Sequence, residues 1–178
     1  MKELEQQWVE KFQRGDPEGF EAVFRVYGDS VFRICYRLSG CRAEAEDLAQ
    51  ETFVAAFRSR QKFEGRSALG TWLYRLALDC CRREIRRSAP RTMPILVDVP
   101  TNDPRMTATA DAISLEEALL QLPHNLRESL LLVKVEGLKY REAAAVLGVP
   151  TGTVQYWVFE GLIRMRTLMP GFESGESY

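Results

Sequence analysis

The chain has 178 residues, 46% apolar and 28% charged, with 24 Lys and Arg against 25 Asp and Glu, a formal charge of -1. That length suits one ordinary domain or two small ones, each with a modest core, and the balanced charge excludes a protein that is basic throughout. No apolar run approaches the ~20 residues that span a bilayer, and MKELEQQWVEKF is too acidic for a signal peptide, so a cytoplasmic chain without membrane insertion is expected.

The elements follow in chain order. Asp16-Pro17-Glu18 starts a helix: an N-cap, a proline in the first turn, then an acid near the positive end of the dipole. Phe20, Val23, Phe24, Tyr27, Val31, Ile34 and Leu38 recur at steps of three and four and predict one buried face. Gly28 lies within that run as a candidate bend, and Gly40 closes it. The next helix is expected over 42–58, with Ala45, Ala49, Phe53, Ala56 and Phe57 facing the core. Glu44, Asp47, Leu48 and Glu51 then fall on the opposite face, which reads either as a solvated surface or as a docking surface with Leu48 as its apolar centre. KFEGRS, residues 62–67, reads as a loop, and a long helix follows over 68–87.

That long helix carries the one basic block. Residues 58–91 hold ten Lys/Arg against three Asp/Glu, a local charge of +7; residues 92–125 hold one against five, or -4. Trp72, Arg75, Asp79, Arg83 and Arg86 are spaced 3, 4, 4 and 3 apart, which makes one stripe, flanked by Arg82 and Arg87. An aromatic among arginines suits stacking on an unpaired base beside a phosphate chain; a solvated basic face with Trp72 in the core is the alternative. Tyr74, Ala77, Leu78, Cys81 and Ile85 lie on another side and can pack inward.

Residues 88–111 hold four prolines and no helical period, so a linker is expected; PILVDV could form a short strand, but it has no partner strand. Ser114 is the next N-cap, and helices are predicted over 114–121, 123–136, 140–147 and 151–168. The last pair forms a helix-turn-helix, with Gly148 at the left-handed cap and Pro150 or Thr151 opening the second helix. Val154, Val158, Gly161, Met165 and Leu168 form its packing stripe; Thr153, Tyr156, Phe159, Glu160 and Ile163 face outward. From Gly148 to Ile163 there is no lysine or arginine. The fold class expected is therefore all-α: domains over 1–88 and 113–170, a linker over 89–112 and a tail over 171–178.

Cys35, Cys41, Cys80 and Cys81 form no CxxC pair and His124 is the only histidine. Reduced thiols packed as small apolar groups are expected, and no metal or cofactor. Without a nucleophile-base set or phosphate loop, an enzyme is not expected. A stand-alone helix-turn-helix regulator is the alternative to the reading that follows.

Three stretches carry a resemblance. AEAEDLAQETFVAAF (43–57) resembles the second region of bacterial sigma factors, and FEGRSALGTWLYRLALDCCRREIRR (63–87) the adjoining melting and minus-ten segments. LEEALLQLPHNLRESLLLVKVEGLKYREAAAVLGVPTGTV (115–154) resembles the fourth region. Size and layout are similar to those of the extracytoplasmic-function (ECF) group. The resemblance implies a promoter-specificity factor for core RNA polymerase. Glu44, Asp47, Leu48, Gln50 and Glu51 would dock on the clamp helices of the beta-prime subunit. Phe63, Glu64, Gly65, Arg66 and Ser67 would form a pocket for a flipped minus-ten base. Trp72, Arg75, Asp79, Arg82, Arg83, Arg86 and Arg87 would hold the melted strand. The second domain would sit on the beta flap and meet the minus-thirty-five element through Lys139, Arg141, Thr151, Thr153, Gln155 and Tyr156. An anti-sigma factor or other regulator is an implied partner.

Two departures from the family pattern matter. Asp79 stands where Asn is common; a carboxylate accepts hydrogen bonds but does not donate them, and Arg75 and Arg83 are placed to hold it in an ion pair. Gln155, Tyr156, Trp157 and Glu160 replace the usual basic positions, so phosphate attraction from this helix is weak. The outward apolar strip Tyr156, Phe159, Ile163 suits a protein contact.

Overall fold

A computed structural model describes residues 2–88 and 114–169, in which every regular element is helical. The linker and the tail expected from sequence, PILVDV included, lie outside the described residues. The chain divides into two compact units, Met1–Ala89 and Pro90–Tyr178.

The first unit holds α1 (Lys2–Arg14), α2 (Pro17–Ser39), α3 (Arg42–Ser59), a single 3-10 turn (Arg60–Lys62) and α4 (Leu69–Ser88). Sequence reasoning missed α1, whose apolar stripe is short. Its Phe12 is fully buried and its Trp8 ring meets Tyr27 edge-on at 6.4 Å. Asp16 caps α2 by accepting the Glu18 N–H at 2.9 Å, an interaction of about 1 kcal/mol, with Pro17 in the first turn. The helix runs unbroken through Gly28 and ends at Gly40, where φ is 73°. Gly19 lets α1 and α2 touch: a Cβ there would lie 2.2 Å from the Phe12 backbone nitrogen.

Helix α3 packs on both α2 and α4, so it needs apolar residues on two faces. Ala45, Leu48, Thr52, Phe53 and Ala56 are buried, and the Thr52 hydroxyl is satisfied by donating to the Leu48 carbonyl at 2.7 Å. Leu48 is therefore a core residue, 5% exposed, which corrects its placement at the centre of the exposed face. Phe57 and Phe24, expected in the core, are 39% and 54% exposed and with Val54 line an open apolar cleft between α2 and α3. Ile85 is likewise a surface residue near the end of α4.

The second unit holds α5 (Leu115–Leu120), α6 (His124–Leu130), α7 (Tyr140–Leu147) and α8 (Thr151–Leu168). A reciprocal capping box opens α5: Glu117 N–H to Ser114 Oγ at 3.2 Å, Ser114 N–H to Glu117 Oε2 at 2.9 Å. The helix expected over 123–136 is α6 running into a π-helical turn over Leu131–Val135. Arg127 is 5% exposed, and its guanidinium donates to the carbonyl of Leu120, the last residue of α5, and to that of Leu122 just beyond it. Burial lowers its pKa, against a raising effect of Glu128. Gly161 brings α8 onto α6; a Cβ there would lie 2.8 Å from Leu130 Cδ1. Among the described residues no helix is long and apolar enough to cross a membrane.

Candidate nucleic-acid interface

On α3, Glu44, Asp47, Gln50 and Glu51 are exposed along one side, while Leu48 lies beneath them, lining a small recess toward Cys81 on α4. Glu51 reaches across to α4, where its Oε1 lies 3.2 Å from an Arg83 guanidinium nitrogen. Arg83 also donates to Cys80 Sγ at 3.1 Å. Arg83 thus pairs with α3 rather than with Asp79, which corrects the pairing expected within the stripe.

The loop before α4 is pinned at one end. Phe63 is buried, with its ring 5.4 Å from that of Trp72; its N–H donates to the Arg60 carbonyl at 3.2 Å. Its own carbonyl accepts from Gln13 Nε2 on α1 at 2.5 Å. Residues 64–68 are then all exposed. Within them Arg66 pairs with Glu64 at 2.6 Å, and Gly65 supplies the left-handed turn at φ 69°. Phe63 therefore supports this loop from within the core, and Glu64, Gly65, Arg66 and Ser67 present it to solvent.

Trp72 is half-buried, its ring set between Phe63 and Phe12, the latter at 6.5 Å. Trp72 is thus neither wholly core nor wholly exposed: it packs on Phe63 and Phe12 and part of it stays accessible. Arg75, Asp79, Arg83, Arg86 and Arg87 are exposed on α4 and Arg82 is half-buried. Arg86 Nε donates to the Arg82 carbonyl at 3.1 Å, and Arg87 pairs with Glu84 at 2.8 Å. Such solvated pairs contribute at most about 1 kcal/mol each and exchange readily for a phosphate, to which guanidinium binds bidentately. Cys35, Cys80 and Cys81 are buried as expected; Cys41, at the N-cap of α3, is exposed instead. Burial pushes the Cys80 thiol pKa up, opposed by Thr52 and Arg83.

In the second unit Gly148 closes α7 at φ 72° and α8 begins at Thr151 after Pro150. Thr151 and Thr153 are half-buried at that N-terminus, and Gln155 and Tyr156 follow on the surface. Lys139 and Arg141, at the start of α7, are exposed. Glu160 is matched by Arg164 on the same helix at 2.9 Å. Tyr156, Phe159 and Ile163 are 61%, 64% and 40% exposed, an apolar strip where DNA-reading helices usually carry charge.

Residues 23–91 match the family described as Sigma-70 region 2, and residues 112–165 the family described as Sigma-70, region 4. The chain is 31% identical over 172 residues to the RNA polymerase sigma-H factor of Pseudomonas aeruginosa, covering 88% of this chain and 89% of that one. It is 35% identical over 155 residues to the ECF RNA polymerase sigma factor SigE of Mycolicibacterium smegmatis, covering 83% and 60% of the two chains. The chain belongs to the ECF group of RNA polymerase sigma factors. This sigma factor shares its fold with the sigma factor RpoE solved in complex with the anti-sigma factor NepR from Bartonella quintana. There the TM-score is 0.66 at 24% identity, over 86% of this chain and 98% of that one.

A sigma factor is a promoter-recognition initiation factor that binds RNA polymerase and DNA, and a stand-alone regulator is not the favoured reading. Two residues of this sigma factor that sequence reasoning passed over now have a place. Gln13 reaches the loop from α1, outside the matched segments, and no local pattern marks it. Arg127, the arginine of LPHNLR, ties α5 to α6 rather than facing DNA.

Proposed function

We propose that the first unit of this sigma factor divides the work between two adjoining faces. Glu44, Asp47, Gln50 and Glu51 dock on the clamp helices of the beta-prime subunit, with Leu48 holding α3 in place beneath them. The loop Glu64–Ser67, supported by Phe63, receives a flipped minus-ten base. Trp72, Arg75, Arg82, Arg83, Arg86 and Arg87 hold the melted strand, with Asp79 set among them. The observation that carries this reading is continuity: an exposed loop leads directly into a row of exposed arginines, beside an acidic face. Phosphates need cations there, and a base leaving the stack costs a few kcal/mol, which a shaped pocket returns selectively. The factor itself catalyses no reaction and works in the cytoplasm with the polymerase.

The second unit sits on the beta flap and meets the minus-thirty-five element through Lys139, Arg141, Thr151, Thr153, Gln155 and Tyr156. Tethering by polymerase supplies the effective concentration that a helix poor in cations lacks. The exposure of Tyr156, Phe159 and Ile163 favours a second reading of α8, as a contact for an anti-sigma factor.

The test combines the purified chain with core polymerase and asks for defined transcript starts, then repeats a gel shift without core. Starts only with core support the sigma reading; tight, salt-sensitive duplex binding without core supports the stand-alone regulator. For the second reading, Phe159→Asp is expected to weaken anti-sigma binding; unchanged binding refutes it.

A further inference from the structure

The geometry points to α1 as the element that positions the base-binding loop, with Gln13 as its positioning residue; this rests on the reading of Glu64–Ser67 as that loop. Helix α1 lies ahead of residue 23, where the family match begins. It is nevertheless built into the unit. Phe12 has no exposure and its ring lies 6.4 Å from Phe20 and 6.5 Å from Trp72. Gly19 sets the distance to α2 without room for a methyl group. A Cβ at Gly15 would lie 2.9 Å from the Arg60 guanidinium, so α1 ends against the turn that leads into the loop. Arg60 is itself held, donating to the Phe57 carbonyl at 2.7 Å and lying over the Phe57 ring at 4.2 Å.

Phe63 is the last residue fixed before the exposed stretch. Three contacts define it: its ring on Trp72, its N–H on Arg60, and its carbonyl on Gln13. The carbonyl belongs to the peptide group joining Phe63 to Glu64. Gln13 therefore orients the plane from which the loop departs. Without that donor the peptide can rotate while the ring stays packed. The direction of Glu64, Gly65 and Arg66 then spreads. A pocket that distinguishes bases needs its contacts within about 0.5 Å, so the loss falls on discrimination rather than on folding or docking.

The test uses holoenzyme assembled with Gln13→Leu or Gln13→Glu, neither of which donates at neutral pH. Open-complex formation is timed on four promoters differing only at the minus-ten base that 2-aminopurine reports as flipped. Expected is a fall of about 3- to 10-fold in the ratio of best to worst base, the effect of removing one hydrogen bond. Core affinity and helical content stay near those of the parent, within about twofold for the affinity. A common slowing on all four promoters, or no change, overturns the positioning role. Arg66→Ala and Ser67→Ala in the parent background form the control. If they leave base preference unchanged, the loop reading fails and the role of α1 falls with it; if they shift it while both Gln13 variants do not, α1 alone is refuted.

Discussion

A guanidinium nitrogen of Arg83 on α4 lies 3.2 Å from Oε1 of Glu51 on α3, so one ion pair joins the proposed strand-holding row to the proposed docking face. Both side chains keep much of their solvent exposure, 61% and 50%. The pair is therefore weak, at most about 1 kcal/mol, and a partner that engages Glu51 releases Arg83 for a phosphate. Glu51→Gln is expected to raise the affinity of the isolated factor for a single-stranded minus-ten oligonucleotide, by up to about fivefold. Arg83→Ala is expected to lower it and to make the slope of log affinity against log salt shallower by about 0.7, the share of one neutralised phosphate on a single strand. Fluorescence anisotropy across a salt series reads both; parent-like curves for both variants would separate the pair from strand binding.

Leu48 and its neighbour Asp47 should behave oppositely. Leu48→Ala opens a cavity between α3 and α4 and is expected to cost about 2–4 kcal/mol in urea unfolding. Asp47→Ala, at the surface, should stay within about 0.5 kcal/mol while weakening binding to core polymerase. Equal, small stability changes at both positions would contradict the burial of Leu48.

Gly19→Ala puts a methyl group into the backbone of α1, where no rotamer change can relieve it. Helix α1 is expected to detach, at a cost of about 3 kcal/mol or more. The readouts are a shift in Trp8 emission and faster proteolysis near residue 15. A variant as protease-resistant as the parent would argue against the close crossing of α1 and α2.

The thiols divide by burial. Cys41 should react with a thiol reagent quickly, and Cys35, Cys80 and Cys81 only on unfolding. Burial raises the Cys80 pKa above its ordinary 9.0, so the native state holds that proton more tightly than the unfolded chain. Stability contributed by the neutral thiol is full below 9.0 and declines as pH rises through that value toward the folded pKa. Cys80→Ala should shallow the alkaline decline measured by denaturant unfolding; an identical pH profile would count against it.

Much of this protein was legible because its signals are local. Asp16, Gly40, Ser114 and Gly148 end or begin helices through chemistry that spans three or four residues, and each does so in the structure. The packing stripe of α8 was likewise readable at Val154, Val158, Met165 and the close approach at Gly161, although Leu168 is only half-buried and the buried Leu162 was not foreseen. The fate of α3 was not. A single periodic stripe predicts one buried side, whereas α3 is covered by α2 and α4 together, which takes Leu48 inside and leaves Phe57 at the rim of a cleft.

The candidate site divides in the same way. Sequence alone determined which residue types stand together: the acidic turn of α3, the exposed loop, the arginine row and the cation-poor α8. Their spacing along a helix is a property of 3.6 residues per turn and needs no neighbour. Only tertiary structure decided that Arg83 leans on Glu51 and that Gln13, fifty residues before Phe63, holds the peptide leaving it. Those contacts join segments distant in the chain, and their register is set by how helices cross, which no local pattern encodes.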